Sequence, residues 1–306
     1  MAQSKSRRFD AADMITNELI KLIEKGVTPW RQPWKGNTMQ SPLRHNGEPY
    51  NGVNIFLLTI RANLEGFASP FWMTYNQAKE LGGQVRKGQK ATTVVFYGTT
   101  SKEDDDDEDA KVIPFLKSYR VFNADQIDEL PERFYPAAVA AESQTANEPI
   151  PHLQAFFDAI PADTRFTGRE AYYMPATDRI YMPELSLFEN PHHFYSVWSH
   201  ELAHWTKAPT RLNRSYGASK FGNTAYAREE VTAELTALIV GQRLGFAPHT
   251  IELSAAYLGN WLHVLKSDKR AIFRQAADAQ RACDYLCELS EAGRGAGEGD
   301  SAQNAA

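Results

Sequence analysis

The pentad His200-Glu201-Leu202-Ala203-His204 sets two imidazoles four residues apart with a carboxylate beside the first. On a helix, positions i and i+4 share a face. Both rings can therefore reach one divalent ion, while Glu201 reaches a water beside it as general base. This is the donor set of a catalytic Zn²⁺ site, where three protein ligands leave one coordination position open. A bare His pair at this spacing is equally well explained by hydrogen bonding at a core margin, so the reading turns on Glu201 and on a third ligand. The flanks read as helix: Asn190 is a capping residue type, Pro191 suits the first helical position, and Phe194, Trp198, Leu202 and Trp205 recur at helical spacing. That apolar stripe docks the helix and leaves His193, Val197, His200 and His204 on another face.

The third ligand is expected from a following helix. Residues 223–244 read as that helix, with Val231, Leu235 and Leu238 on its buried face and Gly245 past its end. Glu230 is the chosen ligand, and Glu234, one turn on, is the partner that orients a ligand histidine from behind. Glu229 competes with Glu230, because spacing alone does not separate adjacent carboxylates. The contrary reading of these glutamates is a solvated acidic face favoured by the helix dipole. Zn²⁺ is the expected ion, and the same donors accept Mn²⁺ or Co²⁺. Tyr226, Tyr257 and His263 are candidates to stabilise an oxyanion.

A chain of 306 residues with 42% apolar content has room for two domains. No long uncharged apolar run is present and the first residues lack a leader-like apolar stretch, so the expected setting is the cytoplasm, with no membrane partner. Cys283 and Cys287 lie one helical turn apart, which suits packing by free thiols better than a disulfide. The net charge of −5 hides an asymmetry: residues 1–98 hold thirteen Lys and Arg against seven Asp and Glu, a net of +6, leaving −11 on the remainder. Polyanion binding is thus expected in the first third.

Along the chain, 10–25 reads as an amphipathic helix with Ile15, Leu19, Leu22 and Ile23 inward, and the apolar run 50–64 suits a helix or a buried strand, with helix preferred. Thr74 and Gln77 suggest a capping box. Thr92 to Tyr97 and Val112 to Phe122 are β-branched and aromatic and should pair as an antiparallel hairpin, with the acidic run 103–109 as its solvated tip. Leu153 to Ile160 reads as helix. Residues 171–183 form a further hairpin, whose edge offers a platform for an extended peptide. The fold class is α+β: an N-terminal α+β domain (1–135) with an antiparallel hairpin, a linker (136–150), a mainly helical domain (151–290) and a disordered tail (291–306).

Single-stranded DNA is held by cations that follow the phosphates and rings that stack on bases. Trp30, Trp34, Tyr50, Trp72 and Tyr75, interleaved with Arg31, Lys35, Arg44, Arg86 and Lys87, supply both types.

The segments Lys25 to Trp34, Pro49 to Asn54, Trp72 to Ala78, Gly83 to Gly88, Tyr181-Met-Pro183, the His200–His204 pentad, Arg211-Leu-Asn-Arg214, Tyr226 to Glu234, Tyr257 to Leu262 and Ser267 to Ile272 occur in an order that resembles the ArdC antirestriction proteins of conjugative plasmids. The resemblance spans nearly residues 10–290, and its first part is also similar to a domain of plasmid-transfer primases. It implies an N-terminal single-stranded-DNA-binding domain and a C-terminal zincin-like metallopeptidase domain that together protect incoming plasmid DNA from host restriction. By position it implies His200, His204 and Glu230 as metal ligands and Glu201 as catalytic base, with single-stranded DNA and a protein substrate, such as a restriction enzyme or a DNA-bound protein, as partners. Two competing functions remain at this level. One is a DNA-binding protein that keeps the zincin fold only as structure, and the other is a protease that single strands stimulate.

Overall fold

The structure, a computed structural model, describes residues 11–24, 41–102, 111–135, 148–217, 224–246 and 255–303. The 103–109 run, the 28–35 segment and most of 136–150 lie outside those residues. The fold is α+β: every described strand lies before residue 183, and helices carry the chain from there.

Helix α1 (Ala11–Glu24) buries Ile15 and Leu19, as its apolar period requires. The apolar run after Tyr50 is helix α2 (Val53–Glu65), which stops where Gly66 takes a left-handed φ of 72° and its N–H reaches the Ala62 carbonyl. Thr74 and Gln77 form the expected capping box at the start of α3 (Tyr75–Glu80). The strands of this half are β1 (Leu43–Arg44), β2 (Phe71–Thr74), β3 (Gln84–Val85), β4 (Thr92–Lys102), β5 (Lys111–Asn123) and β6 (Ile127–Asp128). The main sheet runs β1-β2-β5-β4, and β3 pairs with β6 in a ribbon of its own. The expected hairpin is β4 on β5, in unbroken register from Thr92↔Val121 to Lys102↔Lys111.

Strand β4 is an edge, and α2 closes part of it. The Val95 N–H donates to Asn54 Oδ1 at 2.9 Å, and Asn54 Nδ2 donates to the Val95 carbonyl at 2.7 Å. One amide side chain thus stands in for a neighbouring strand.

Beyond residue 148 come α4 (Pro151–Asp158) and β7 (Asp163–Phe166), then the expected hairpin of β8 (Tyr172–Met174) and β9 (Arg179–Met182). Sheet order β7-β9-β8 leaves β8 as an edge. Helices α5 (Pro191–Thr206), α6 (Thr224–Leu244), α7 (Ala255–Ser267) and α8 (Ala271–Gln303) complete the chain. Because α5, α7 and α8 all pack against α6, it is buried from Ala227 to Gln242 except at half-buried Arg228, not merely along the Val231, Leu235, Leu238 stripe.

The two halves share one apolar core, which runs from Ile15, Phe56 and Trp72 through Phe157, Trp198 and Leu235 to Trp261 and Leu286. Polar ties cross it: Gln242 Nε2 donates to Thr59 Oγ1 at 2.7 Å, the Gly52 N–H to Gln280 Oε1 at 3.1 Å, and Thr16 Oγ1 to the Lys269 carbonyl at 2.6 Å. A smaller cluster of Met73, Ala78, Ala124, Ile127, Leu130 and Phe134 fills the space between α3 and the β3–β6 ribbon. Cys283 and Cys287 are free and buried.

Within the segment read from the sequence as a tail, α8 continues to Gln303. A helix nucleated by packed residues extends cheaply. Gly293 also lets the helix pass the end of α4, where a methyl group would overlap the Ala159 carbonyl oxygen.

Asn54→Leu removes both hydrogen bonds to β4 and leaves the Val95 amide and carbonyl partnerless. The free energy of unfolding should fall by about 1–3 kcal/mol in a denaturant titration. An unchanged midpoint would show that the amide does not close this edge.

Candidate metal centre

Asn190 caps α5 by accepting the His193 N–H at 3.0 Å, with Pro191 in the first helical position. Phe194, Trp198, Leu202 and Trp205 are all buried, and Trp198 lies near-parallel to Phe157 at 4.8 Å between ring centroids. This docking turns His200 and His204 toward α6.

The two Nε2 atoms lie 3.1 Å apart. Each stands 3.6 Å from a different oxygen of Glu230, His200 facing Oε2 and His204 facing Oε1. Donor atoms of these three residues all fall within 4.8 Å of one another. Ligands about 2.1 Å from a tetrahedral ion lie about 3.4 Å apart, so the spacing fits a single cation.

Behind the rings the Nδ1 atoms meet other carboxylates. His204 Nδ1 lies 3.1 Å from Glu229 Oε1. His200 Nδ1 and Glu234 Oε1 are 3.5 Å apart, within ion-pair range but not aligned as a hydrogen bond. Arg214 grips Glu229 with two bonds, Nη2 to Oε1 at 2.8 Å and Nε to Oε2 at 3.1 Å. Of the adjacent glutamates, Glu230 therefore faces the Nε2 pair and Glu229 the back of His204. Glu229, Glu230 and Glu234 are only 5%, 5% and 7% exposed, which rules out a solvated acidic face.

The electrostatics call for positive charge. Burial opposes ionisation of His200, yet the nearby Glu234, Glu230 and Glu201 carboxylates outweigh it and raise its pKa to about 10. Burial also opposes the Glu230 carboxylate, but His200 and His204, aided by a hydrogen bond from Tyr226, hold it at about 2. Glu234 is pushed up to about 7, first by burial, with Glu230 and Glu201 adding to the effect against His200. Glu201 itself is buried beside the cluster. The donor chemistry, two imidazole Nε2 atoms converging with one buried carboxylate, thus fits a divalent ion.

Among the oxyanion candidates, Tyr226 reaches the cluster through Glu230, whereas His263 is exposed on α7. The Tyr257 side chain is outside the described set. The β8–β9 hairpin is held to the end of α5 by Arg211, which donates to Asp178 Oδ2 at 2.9 Å and to the Trp205 carbonyl at 2.6 Å and lies 4.0 Å over the Trp205 ring. Tyr173 joins this clamp by donating to Asp178 Oδ1 at 2.8 Å.

The residues expected to contact DNA separate. Trp30, Arg31, Trp34 and Lys35 lie outside the described residues. Trp72 is 1% exposed and packs edge-on against Phe67, and Tyr50 is buried with Arg44 over its ring. Neither offers a face to a base in this conformation, because both rings fill the shared core. Arg44 also pairs with Glu48. Arg86 and Lys87 are exposed in the turn after β3, with Arg86 bonded to Asp128 and to the Asp125 carbonyl. Half-exposed rings do occur at Tyr75, Phe96 and Tyr119. The last two share a face of the β4–β5 ribbon beside Lys117, since Phe96 opposes Lys117 and Tyr119 opposes Val94. Sequence reasoning overlooked this pair, although strand alternation marks it.

Residues 9–122 match the family model for the N-terminal domain of anti-restriction factor ArdC, and residues 151–278 that for a zincin-like metallopeptidase. The chain is similar to a crystal structure of the antirestriction ArdC protein from the R388 plasmid in its metal-free form, with 42% identity, a TM-score of 0.78, and coverage of 92% of this chain and 98% of that one. The Mn(II)-bound structure of that protein has a TM-score of 0.76, with the same identity and coverage. An uncharacterized protein of Sinorhizobium fredii, y4eC, is 34% identical over 90% of this chain and 91% of its own. The DNA primase TraC of Escherichia coli is 34% identical over 91% of this chain, which spans only 27% of that primase.

Mn²⁺ should raise the thermal unfolding midpoint of the protein and a chelator should reverse the rise, as ligand linkage gives about 2.7 kcal/mol at a hundredfold excess over Kd. His204→Ala should abolish the response in differential scanning calorimetry. An equal response from that variant would place the ion elsewhere.

Proposed function

This chain belongs to the ArdC antirestriction family, and on that premise we propose that it binds single-stranded DNA without sequence preference and protects incoming conjugative plasmid DNA from host restriction, while its helical half hydrolyses peptide bonds in a metal-dependent way. The observation that carries the hydrolase half is the convergence of His200, His204 and Glu230 with Glu201 buried beside them. A retained scaffold with no chemistry has no need of that fourth residue, a second carboxylate.

His200, His204 and Glu230 hold the ion, Zn²⁺ or Mn²⁺. When bound, the ion supplies Lewis acidity, polarising a substrate carbonyl and lowering the pKa of water. Glu201 takes the proton from the attacking water and returns it to the departing amine. The edge strand β8, clamped to α5 by Arg211, offers backbone groups to an extended peptide. The substrate class is protein, either a restriction enzyme or another DNA-bound protein.

Support for DNA binding comes from the basic first third of the chain, the exposed Arg86–Lys87 turn and the aromatic face of the β4–β5 ribbon. Cations there follow phosphates, and Phe96 and Tyr119 stack on bases. No helix among the described residues is long and apolar enough to cross a membrane.

Glu201→Gln should reduce peptide hydrolysis by about 10²-fold or more while Mn²⁺ affinity stays unchanged in isothermal titration. If the variant protects plasmid DNA in a conjugation assay as well as the parent protein, antirestriction rests on DNA binding alone. For the other half, the logarithm of affinity for an oligothymidylate should fall linearly with the logarithm of salt concentration. Tyr119→Ala should weaken binding by about 1–3 kcal/mol in fluorescence anisotropy, and a flat salt response would contradict the phosphate contacts.

A further inference from the structure

The segment Arg211-Leu-Asn-Arg214 stands out in the sequence, yet nothing in the proposed chemistry uses Arg214. Its side chain is 5% exposed, and the Glu229 side chain it grips is 7% exposed. Besides the two bonds to Glu229, Arg214 Nη2 donates to the Ala203 carbonyl at 2.8 Å and Nη1 to Thr206 Oγ1 at 3.1 Å. One guanidinium therefore joins the last turn of α5 to the first half of α6. Glu229 in turn meets the ring nitrogen of His204 that faces away from Glu230.

We propose that Arg214 and Glu229 are positioning residues that set the His204 tautomer, keeping the proton on Nδ1 and the lone pair of Nε2 turned toward Glu230. This rests on the reading of His200, His204 and Glu230 as metal ligands. The chemistry follows from the donor inventory. A carboxylate only accepts, so Nδ1 must donate to it, and a neutral imidazole with Nδ1 protonated has its free pair on Nε2. Arg214 keeps Glu229 aimed: its fork engages both oxygens, so the carboxylate cannot rotate away without breaking two charge-assisted bonds. Arg214 touches neither ion nor substrate and acts through Glu229. The partner of His200 is different, because Glu234 lies off hydrogen-bond alignment and the described residues place no arginine behind it. His204 is thus the more firmly oriented of the two rings.

The test has two readouts. Long-range ¹H–¹⁵N correlation spectra of the metal-free protein report the His204 tautomer directly. Mn²⁺ affinity, measured by electron paramagnetic resonance, reports its consequence. In the parent protein His204 should carry its proton on Nδ1. Glu229→Gln, nearly isosteric, should populate the other tautomer and weaken Mn²⁺ binding by about 10–100-fold. Arg214→Met should act in the same direction, and if that variant does not fold, Glu229→Gln decides alone. Parent spectra with the proton on Nε2, or Glu229→Gln with parental spectra and affinity, would overturn the relay. If the parent binds no Mn²⁺, or if Glu230→Gln binds it as the parent does, the ligand assignment fails instead, and the tautomer spectra still judge the relay.

Discussion

Three carboxylates within six residues of a helix that is buried on nearly every side are the constraint around which this protein is arranged. An uncompensated charge in such a place costs several kcal/mol, and removing one partner from a buried pair typically costs about 3–5 kcal/mol. Glu229, Glu230 and Glu234 are therefore tolerated only because α5 and the segment after it bring His200, His204 and Arg214 to meet them. These contacts and the apolar packing together hold α5 against α6. With Glu201 added, carboxylates still outnumber Arg214, and the rise of His200 to about 10 is the protein's response to that excess. A divalent cation bound there would remove the excess by replacing protons, and its binding would then be coupled to proton release.

The N-terminal half depends on the same framework. Its helices α1 and α2 have no separate core of their own: Ile15, Phe56 and Leu58 join the cluster that contains Trp198 and Leu235. Thr59 accepts a hydrogen bond from α6, and the Gly52 N–H donates one to α8. Asn54, on the same helix, carries this anchoring outward to the β4 edge. The ribbon that presents Phe96, Lys117 and Tyr119 is thus braced, through one helix, by the layer that surrounds the metal centre. The segments that match two different family models are distinct in sequence yet mechanically joined.

What the sequence made legible was local. The Asn190 cap, the Thr74–Gln77 capping box, the α5 stripe and the β4–β5 hairpin each follow from a few neighbouring residues, and the structure contains each of them. What it did not reveal depends on a partner far along the chain. Adjacent helix positions differ by about 100° in direction, so spacing alone left Glu229 as a competitor to Glu230 until the position of α5 was known. Trp72 and Tyr50 have the composition of stacking platforms, but burial is decided by tertiary packing. Two-residue strands such as β1 and β3 have no periodicity to detect. Strand alternation alone marks the face that carries Phe96 and Tyr119.

The segment after α5 shows how two demands can be met by a few residues. Arg211 turns outward to Asp178 and Tyr173, fixing the hairpin whose edge strand lies beside α5. Three positions later, Arg214 turns inward to Glu229. Both also bond α5 carbonyls, Trp205 for the first and Ala203 for the second, so both are referenced to the same final turn of the ligand helix. Any shift of that turn would move the hairpin and the back of His204 together. A peptide laid along β8 and an ion held by α5 and α6 would therefore keep a constant relation to one another, which hydrolysis at a fixed bond requires.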